Sequence, residues 1–188
     1  MAELRIALNN IAPEGKTFVM DDPAIWSVPM TECGMDCRVV QPLVGTVTLL
    51  PQEDGCLVRG NLKGEVVVPC NRCAEDAHLI IDSSFDSFEP FPQADDEMEP
   101  RNGKEKLFDS EADELIVKLV DGAPEINLAG LLWEEFVLAL PVRPLCKPDC
   151  KGLCPDCGKN LNEGSCSCVR DEGDPRLAAL RGLKVKKN

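Results

Sequence analysis

Six cysteines crowd a short stretch near the carboxyl end, in the spacing C-x3-C-x3-C-x2-C-x8-C-x-C: Cys146, Cys150, Cys154, Cys157, Cys166 and Cys168. Few large apolar side chains accompany them, so the segment has little to fold around except its own sulfur. Cys154-Pro155-Asp156-Cys157-Gly158 carries the sharpest signal. Two residues between cysteines let one tight turn deliver two sulfurs to a tetrahedral ion. The proline fixes φ early in that turn, and the glycine tolerates the left-handed conformation that closes it. Cys166-Ser167-Cys168 supplies return ligands after a gap long enough for a small hairpin, and the fourth ligand is expected from Cys146 or Cys150.

The chain has eleven cysteines, an odd number, and begins Met1-Ala2-Glu3-Leu4-Arg5-Ile6 without the apolar core of a secretory signal. Dense thiols in that setting point to metal binding and not to a disulfide framework. Structural zinc is the leading reading, with one ion expected and two allowed. Two zinc ions sharing the six thiolates is one solution. Another adds Cys70 and Cys73, a C-x2-C pair around Asn71-Arg72, so that eight thiols make two separate four-cysteine sites. An iron–sulfur cluster and a redox switch that releases zinc are the rivals. Four thiolates leave no open coordination position, so the metal is expected to order the chain and not to activate water. Chelation is accordingly expected to unfold residues 146–168 and spare the rest. Cys33 and Cys37 are weaker candidates, and Cys56 reads as a strand residue.

Ahead of the cysteine block the pattern is β-rich. Arg38 to Leu50 has the Val/Thr enrichment and partial alternation of a strand, and Pro51-Gln52-Glu53-Asp54-Gly55 reads as a turn. Further strands are expected from Cys56 to about Leu62, from Gly64 to Pro69, and from His78 towards Phe88. Residues 89–106, rich in Pro, Asp and Glu, read as an acidic loop. Asn127 is placed to cap a helix from Leu128 to about Leu140, ended by Pro141, with Leu128, Leu131, Leu132, Phe136, Ala139 and Leu140 on one face. Asp174-Pro175 begins a short C-terminal helix with Leu177 and Leu180 on one side. The expected fold is α+β: an antiparallel β-meander or partly open barrel packed by one or two helices, with a C-terminal cysteine-rich zinc-binding segment. Residues 1–142 form the body and 143–188 the zinc-binding segment with its short helix.

Charge narrows the function. The formal net charge is -13, and residues 82–126 hold 14 acidic against four basic groups, whereas residues 143–188 hold ten basic against six acidic. An acidic body repels nucleic acid and suits a basic protein, and only the tail is placed to touch RNA. The longest apolar stretch, Leu128 to Val142, is broken by Glu134 and Glu135 and is too short to span a membrane. The single histidine, His78, reads as an ordinary strand residue. No glycine-rich phosphate loop, paired catalytic carboxylates or serine elbow accompanies it, so no enzyme is expected. Phe85, Phe88 and Phe91 alternate with acids and not with bases, which suits core or loop anchors better than an RNA-stacking surface.

Several ordered features together resemble one family. They are Gly64 to Cys73 with its Val66-Val67-Val68-Pro69-Cys70, Leu131 to Pro141, Cys146 to Gly158, and Asp174-Pro175-Arg176. In that order they look like the YceD family, the bacterial and plastid large ribosomal RNA subunit accumulation proteins. The resemblance covers roughly residues 35–183 and is most specific in its last block. It implies a non-enzymic, cytoplasmic factor supporting synthesis, processing or stability of 23S rRNA. The partner would be a large-subunit precursor or a basic ribosomal protein, with weak rRNA contact through the tail. The alternatives are a zinc-stabilised protein-binding module unrelated to ribosomes, and a thiol redox sensor.

Overall fold

The structure, a computed structural model, describes residues 4–92 and 116–168. In chain order it has β1 (Arg5–Ala7), a single 3-10 turn (Leu8–Asn10), β2 (Lys16–Met20), α1 (Ala24–Glu32), β3 (Arg38–Pro51), β4 (Gly55–Pro69) and β5 (Asp76–Pro90). After the undescribed residues come β6 (Val117–Val120), β7 (Ala123–Asn127) and α2 (Leu128–Ala139). The strands form two antiparallel sheets, one ordered β2-β3-β4-β5 and a smaller one ordered β1-β7-β6. The α+β class with antiparallel strands and two helices is therefore what the chain adopts.

The turn at Pro51 to Gly55 forms as its composition demands, closed by the Gln52 N–H donating to the Gly55 carbonyl at 2.8 Å. Two expectations need correction. Cys56 to Leu62 and Gly64 to Pro69 are not separate strands but one, β4, paired without a break from Gly55 opposite Pro90 to Pro69 opposite Asp76. Gly64 marks a close approach, not a turn. Its missing Cβ would lie 2.8 Å from the Pro42 carbonyl and from Leu43 Cδ2, where the β3 register shifts between Gln41 and Val44. The other correction concerns β5, which runs on to Pro90, so Glu89 and Pro90 belong to the sheet and not to the acidic loop. The rest of that loop from residue 93, and the helix expected after Asp174, lie outside the described residues.

Alternation along β3 buries Leu43, Val47 and Leu49 on one face, and β4 adds Cys56, Val58, Leu62 and Val66. Phe85 faces Gly60 across the β4–β5 ladder and fills the space a side chain would take, so it packs half-buried against the core, as Phe91 does. Phe88 lies half-exposed. The outward positions carry exposed cross-strand pairs, Arg59 with Asp86 at 2.7 Å and Lys63 with Asp82 at 3.5 Å. His78 is one of these outward residues, its Nδ1 2.9 Å from Glu65 Oε1.

The stripe on α2 covers the buried face. Leu128, Leu131, Leu132 and Phe136 are buried, and the Asn127 side chain caps the helix by accepting from the Gly130 N–H at 3.2 Å. Gly45 lets the helix come close, since a Cβ there would meet Leu132 Cδ2 at 2.7 Å. Trp26 of α1 completes the layer, its ring centroid 5.9 Å from that of Phe136. Among the described residues no helix is long and apolar enough to cross a membrane.

Two substitutions probe this arrangement. Gly45→Val forces Leu132 off the sheet and should cost about 1–3 kcal/mol of stability. Asn127→Ala, removing a buried cap, should cost about 1–2 kcal/mol. Urea denaturation followed by tryptophan fluorescence measures both, and a Gly45→Val midpoint equal to the parent's would contradict the proposed docking of α2.

Candidate metal centres

The link between β4 and β5 is a cysteine turn. Val68 and Pro69 lead into Cys70-Asn71-Arg72-Cys73, and Ala74 then takes a positive φ of 61°. The Ala74 N–H donates to the Cys70 carbonyl at 2.9 Å, and the Arg72 N–H points at Cys70 Sγ, 3.4 Å away. Cys154 to Gly158 repeats this geometry. Gly158 has φ 72°, and its N–H donates to the Cys154 carbonyl at 2.9 Å. The left-handed residue after the second cysteine is glycine in one turn and alanine in the other, at some cost in strain for the alanine.

The C-terminal segment docks on the first turn. Asn71 N–H donates to the Pro144 carbonyl at 2.9 Å, Leu153 N–H to the Arg72 carbonyl at 3.1 Å, and Arg72 Nη1 to the Cys150 carbonyl at 2.7 Å. Gly152, with φ 74°, keeps this contact close, because a Cβ would lie 3.0 Å from the Arg72 carbonyl. As a result Cys70 Sγ sits 3.8 Å from Cys150 Sγ, and Cys73 Sγ 3.5 Å from Cys146 Sγ. A second set gathers Cys154, Cys157, Cys166 and Cys168, with Cys154 and Cys166 sulfurs 3.4 Å apart. Within each set all four sulfurs lie within 4.8 Å of one another.

Those distances meet a physical requirement. A tetrahedral ion about 2.3 Å from each of four sulfurs holds the sulfurs about 3.8 Å apart. Both sets fit a single metal ion each, and both offer a full set of four soft donors. All six cysteines of the C-terminal block fall within these two sets, joined by Cys70 and Cys73. The expected source of a fourth ligand for the Cys154–Cys157 turn was Cys146 or Cys150. Instead Cys166 and Cys168 both return to that turn, and Cys146 and Cys150 serve the other set. Of the arrangements the spacing allowed, the geometry matches two separate four-cysteine sites and not two ions sharing six thiolates. Cys33 is exposed and Cys37 half-buried, and neither joins a set; Cys56 is a buried strand residue.

Electrostatics within the sets favour a cation. Burial opposes ionisation of Cys70, yet the backbone N–H groups of Cys146, Arg72 and Cys73 bring it down to about 6. The N–H groups of Cys157 and Asp156 bring Cys154 down to about 7. Cys146 is pushed up to about 12, by burial and then by the Cys73 and Cys150 side chains. Cys168 rises to about 12 through the Cys157 side chain and burial. Each set thus holds its first thiolate readily and its last only against strong repulsion, and a positive ion at the centre removes that opposition. Asn162 links the two sets. Its Nδ2 donates to Cys150 Sγ at 3.3 Å, which lowers the Cys150 pKa, and its Oδ1 accepts from the Lys151 N–H at 2.9 Å. The same residue follows the Leu153–Asn160 bridge, which closes the Cys154–Cys157 turn, and precedes Cys166.

The sets differ in shelter. Cys70, Cys73 and Cys150 are buried beside Val68 and Ala77, while in the second set only Cys154 is buried and Cys157 is exposed.

Comparison with known proteins bears on these residues. Residues 58–184 match the family model described as "Large ribosomal RNA subunit accumulation protein YceD", a span that contains both cysteine sets. The chain is 25% identical over 156 residues to "Large ribosomal RNA subunit accumulation protein YCED homolog 1, chloroplastic" of Arabidopsis thaliana, covering 76% of this chain and 49% of that protein. The maize (Zea mays) protein of the same name is 26% identical over 160 residues, covering 76% of this chain and 53% of that protein. An uncharacterized protein of Mycobacterium tuberculosis is 30% identical over 129 residues, 68% of this chain and 55% of that protein. The chain spans about half the length of these curated relatives. No solved structure matches it.

Metal analysis of the purified chain should give two ions per molecule. Cys73→Ser should lower that to one, with the second set still loaded. Because the first set ties residues 144–153 to the β4–β5 turn, a strong chelator should loosen that turn as well as residues 146–168. Hydrogen exchange at Ala74 and Glu75 would then rise, and unaltered exchange there would contradict the shared site.

Proposed function

This chain belongs to the YceD family, and from that membership we propose that it is a non-enzymic factor in ribosome biogenesis. In this reading it supports synthesis, processing or stability of 23S rRNA and assembly of the large subunit. The observation that carries it is the family match over residues 58–184, which takes in most of β4, all of β5 and α2, and both cysteine sets.

The chemistry of the sites agrees with a structural role. Zinc is the ion we assign to both. Sulfurs held within 4.8 Å leave room for one ion among four thiolates, not for several irons with bridging sulfide. With four sulfurs on each ion no position is open for water or substrate, so the metal would supply order and no reaction step. Arg72, Lys151 and Asn162 are already engaged in holding the two sets together.

The division of labour follows from charge. Arg143, Lys147 and Lys151 are exposed around the first set, among acids at Asp149, Asp156 and Glu163. Four thiolates about a dipositive ion add a further net charge of about -2 per site. Direct contact with rRNA is therefore limited to a few phosphates, and the larger acidic surface takes a basic protein partner of the large subunit. The protein would work where that subunit is assembled, in the cytoplasm.

Depletion of the protein in its host tests the reading. Sucrose-gradient profiles should show fewer large subunits, and northern analysis less mature 23S rRNA, with the defect deepening in the cold. Normal profiles in both conditions would overturn it. Complementation by a Cys70→Ser/Cys154→Ser double variant should fall well short of the parent gene, with protein level measured alongside to report instability.

A further inference from the structure

The long sheet has an unequal edge. β3 is 14 residues long, but β2 pairs only with Gly45 to Leu49. From Arg38 to Gln41, β3 has β4 on one side and no described strand on the other. That side faces α1: the Trp26 Nε1–H donates to the Leu43 carbonyl at 3.1 Å. Beyond that bond α1 stands away from the strand and leaves a cavity of about 460 Å3, lined by Trp26, Met30, Met35, Val39, Val40 and Leu43 among others. Val39 is 44% and Val40 49% exposed, a high value for two neighbouring valines in a strand.

Charge selects what can fill it. Asp21 lines the cavity, and Asp22 and Asp36 are exposed beside it in the chain. The nearest basic side chain in sequence, Arg38, is committed to Asp76 at 2.6 Å. The rim is therefore anionic around an apolar floor. A second copy of this chain, with the same rim and a net charge of -13, would be repelled.

We propose that this groove is a docking site for an extended lysine- or arginine-rich segment of a partner protein. The segment adds as a strand to the free edge of β3, seats an apolar side chain between Trp26 and Met30, and sets its basic side chains against Asp21, Asp22 and Asp36. Backbone bonds to residues 38–41 give affinity that does not depend on sequence, while the alternation of apolar and basic residues gives selectivity. The inference deepens the preceding reading and rests on it only in taking the partner to be a ribosomal protein. The groove can be tested apart from that role.

The probe is a short fluorescein-labelled peptide alternating lysine with valine, titrated into the metal-loaded full chain and read by anisotropy. A glutamate–valine peptide of equal length is the control. The lysine peptide should bind and the glutamate peptide should not. Thr31→Trp, which fills the groove from an exposed position on α1, should weaken binding about tenfold or more, and so should Asp21→Lys with Asp36→Lys. Thermal melts and metal content confirm that each variant is folded. Absent binding, equal binding of both peptides, or binding unaffected by both variants would each overturn the proposal. Thr31→p-benzoylphenylalanine identifies the occupant directly. A photo-crosslink to the lysine peptide supports the proposal, whereas one to a second copy or within the chain overturns it. Ribosome profiles of a Thr31→Trp strain then separate the two readings. Weak peptide binding with normal subunits removes the ribosomal partner and leaves the groove.

Discussion

Four sulfurs that come from places far apart in the chain meet where the segment after the last helix docks on the main sheet. Cys70 and Cys73 sit in the turn between two strands of the main sheet, and Cys146 and Cys150 follow the last helix. Around them lie only Val68, Ala77 and a few half-buried neighbours, too little apolar surface to secure a segment by itself. Three hydrogen bonds through Asn71, Arg72 and Leu153 fix the approach. A cation held among the four sulfurs would supply further order, by turning mutually repelling thiolates into one closed site. The second set then builds outward from the first, through the Leu153–Asn160 bridge and Asn162.

The main sheet explains why the first set can exist where it does. The β4–β5 ladder runs unbroken over its whole length, so it delivers the Cys70 turn at a fixed height at one end of the sheet. Packing of α2 on the buried face, allowed by Gly45 and secured by Leu132 and Phe136, fixes where the chain leaves at Leu140. Regular elements thus aim both halves of the site. The same long sheet leaves β3 overhanging β2, and so creates an open edge beside α1.

Much of this was legible beforehand, and the failures have definite causes. The strand from Arg38, the Asp54-Gly55 turn and the Asn127 cap each announce themselves by local chemistry, and all three are present. The false break in β4 falls between Leu62 and Gly64, where the glycine begins no new strand and its lack of a Cβ serves the bulge in the neighbouring strand. Asp121-Gly122, the two-residue link of the β6–β7 hairpin, carries positive φ at both positions, and it was a readable signal that went unused. The two strands and the helix before Cys33 were not anticipated; β1 and β2 are short and α1 buries Trp26 and Met30 without a strong amphipathic pattern.

The cysteines divide the same way. Spacing alone determined that Cys154, Pro155, Asp156, Cys157 and Gly158 make a two-sulfur turn, because that chemistry is settled within five residues. Thiol number also allowed eight ligands in two sets, Cys70 and Cys73 included. Which cysteines share a site was decided only by the tertiary structure. A tetrahedron depends on distances in space, and Cys73 meets Cys146 because a sheet and a helix bring them within 3.5 Å.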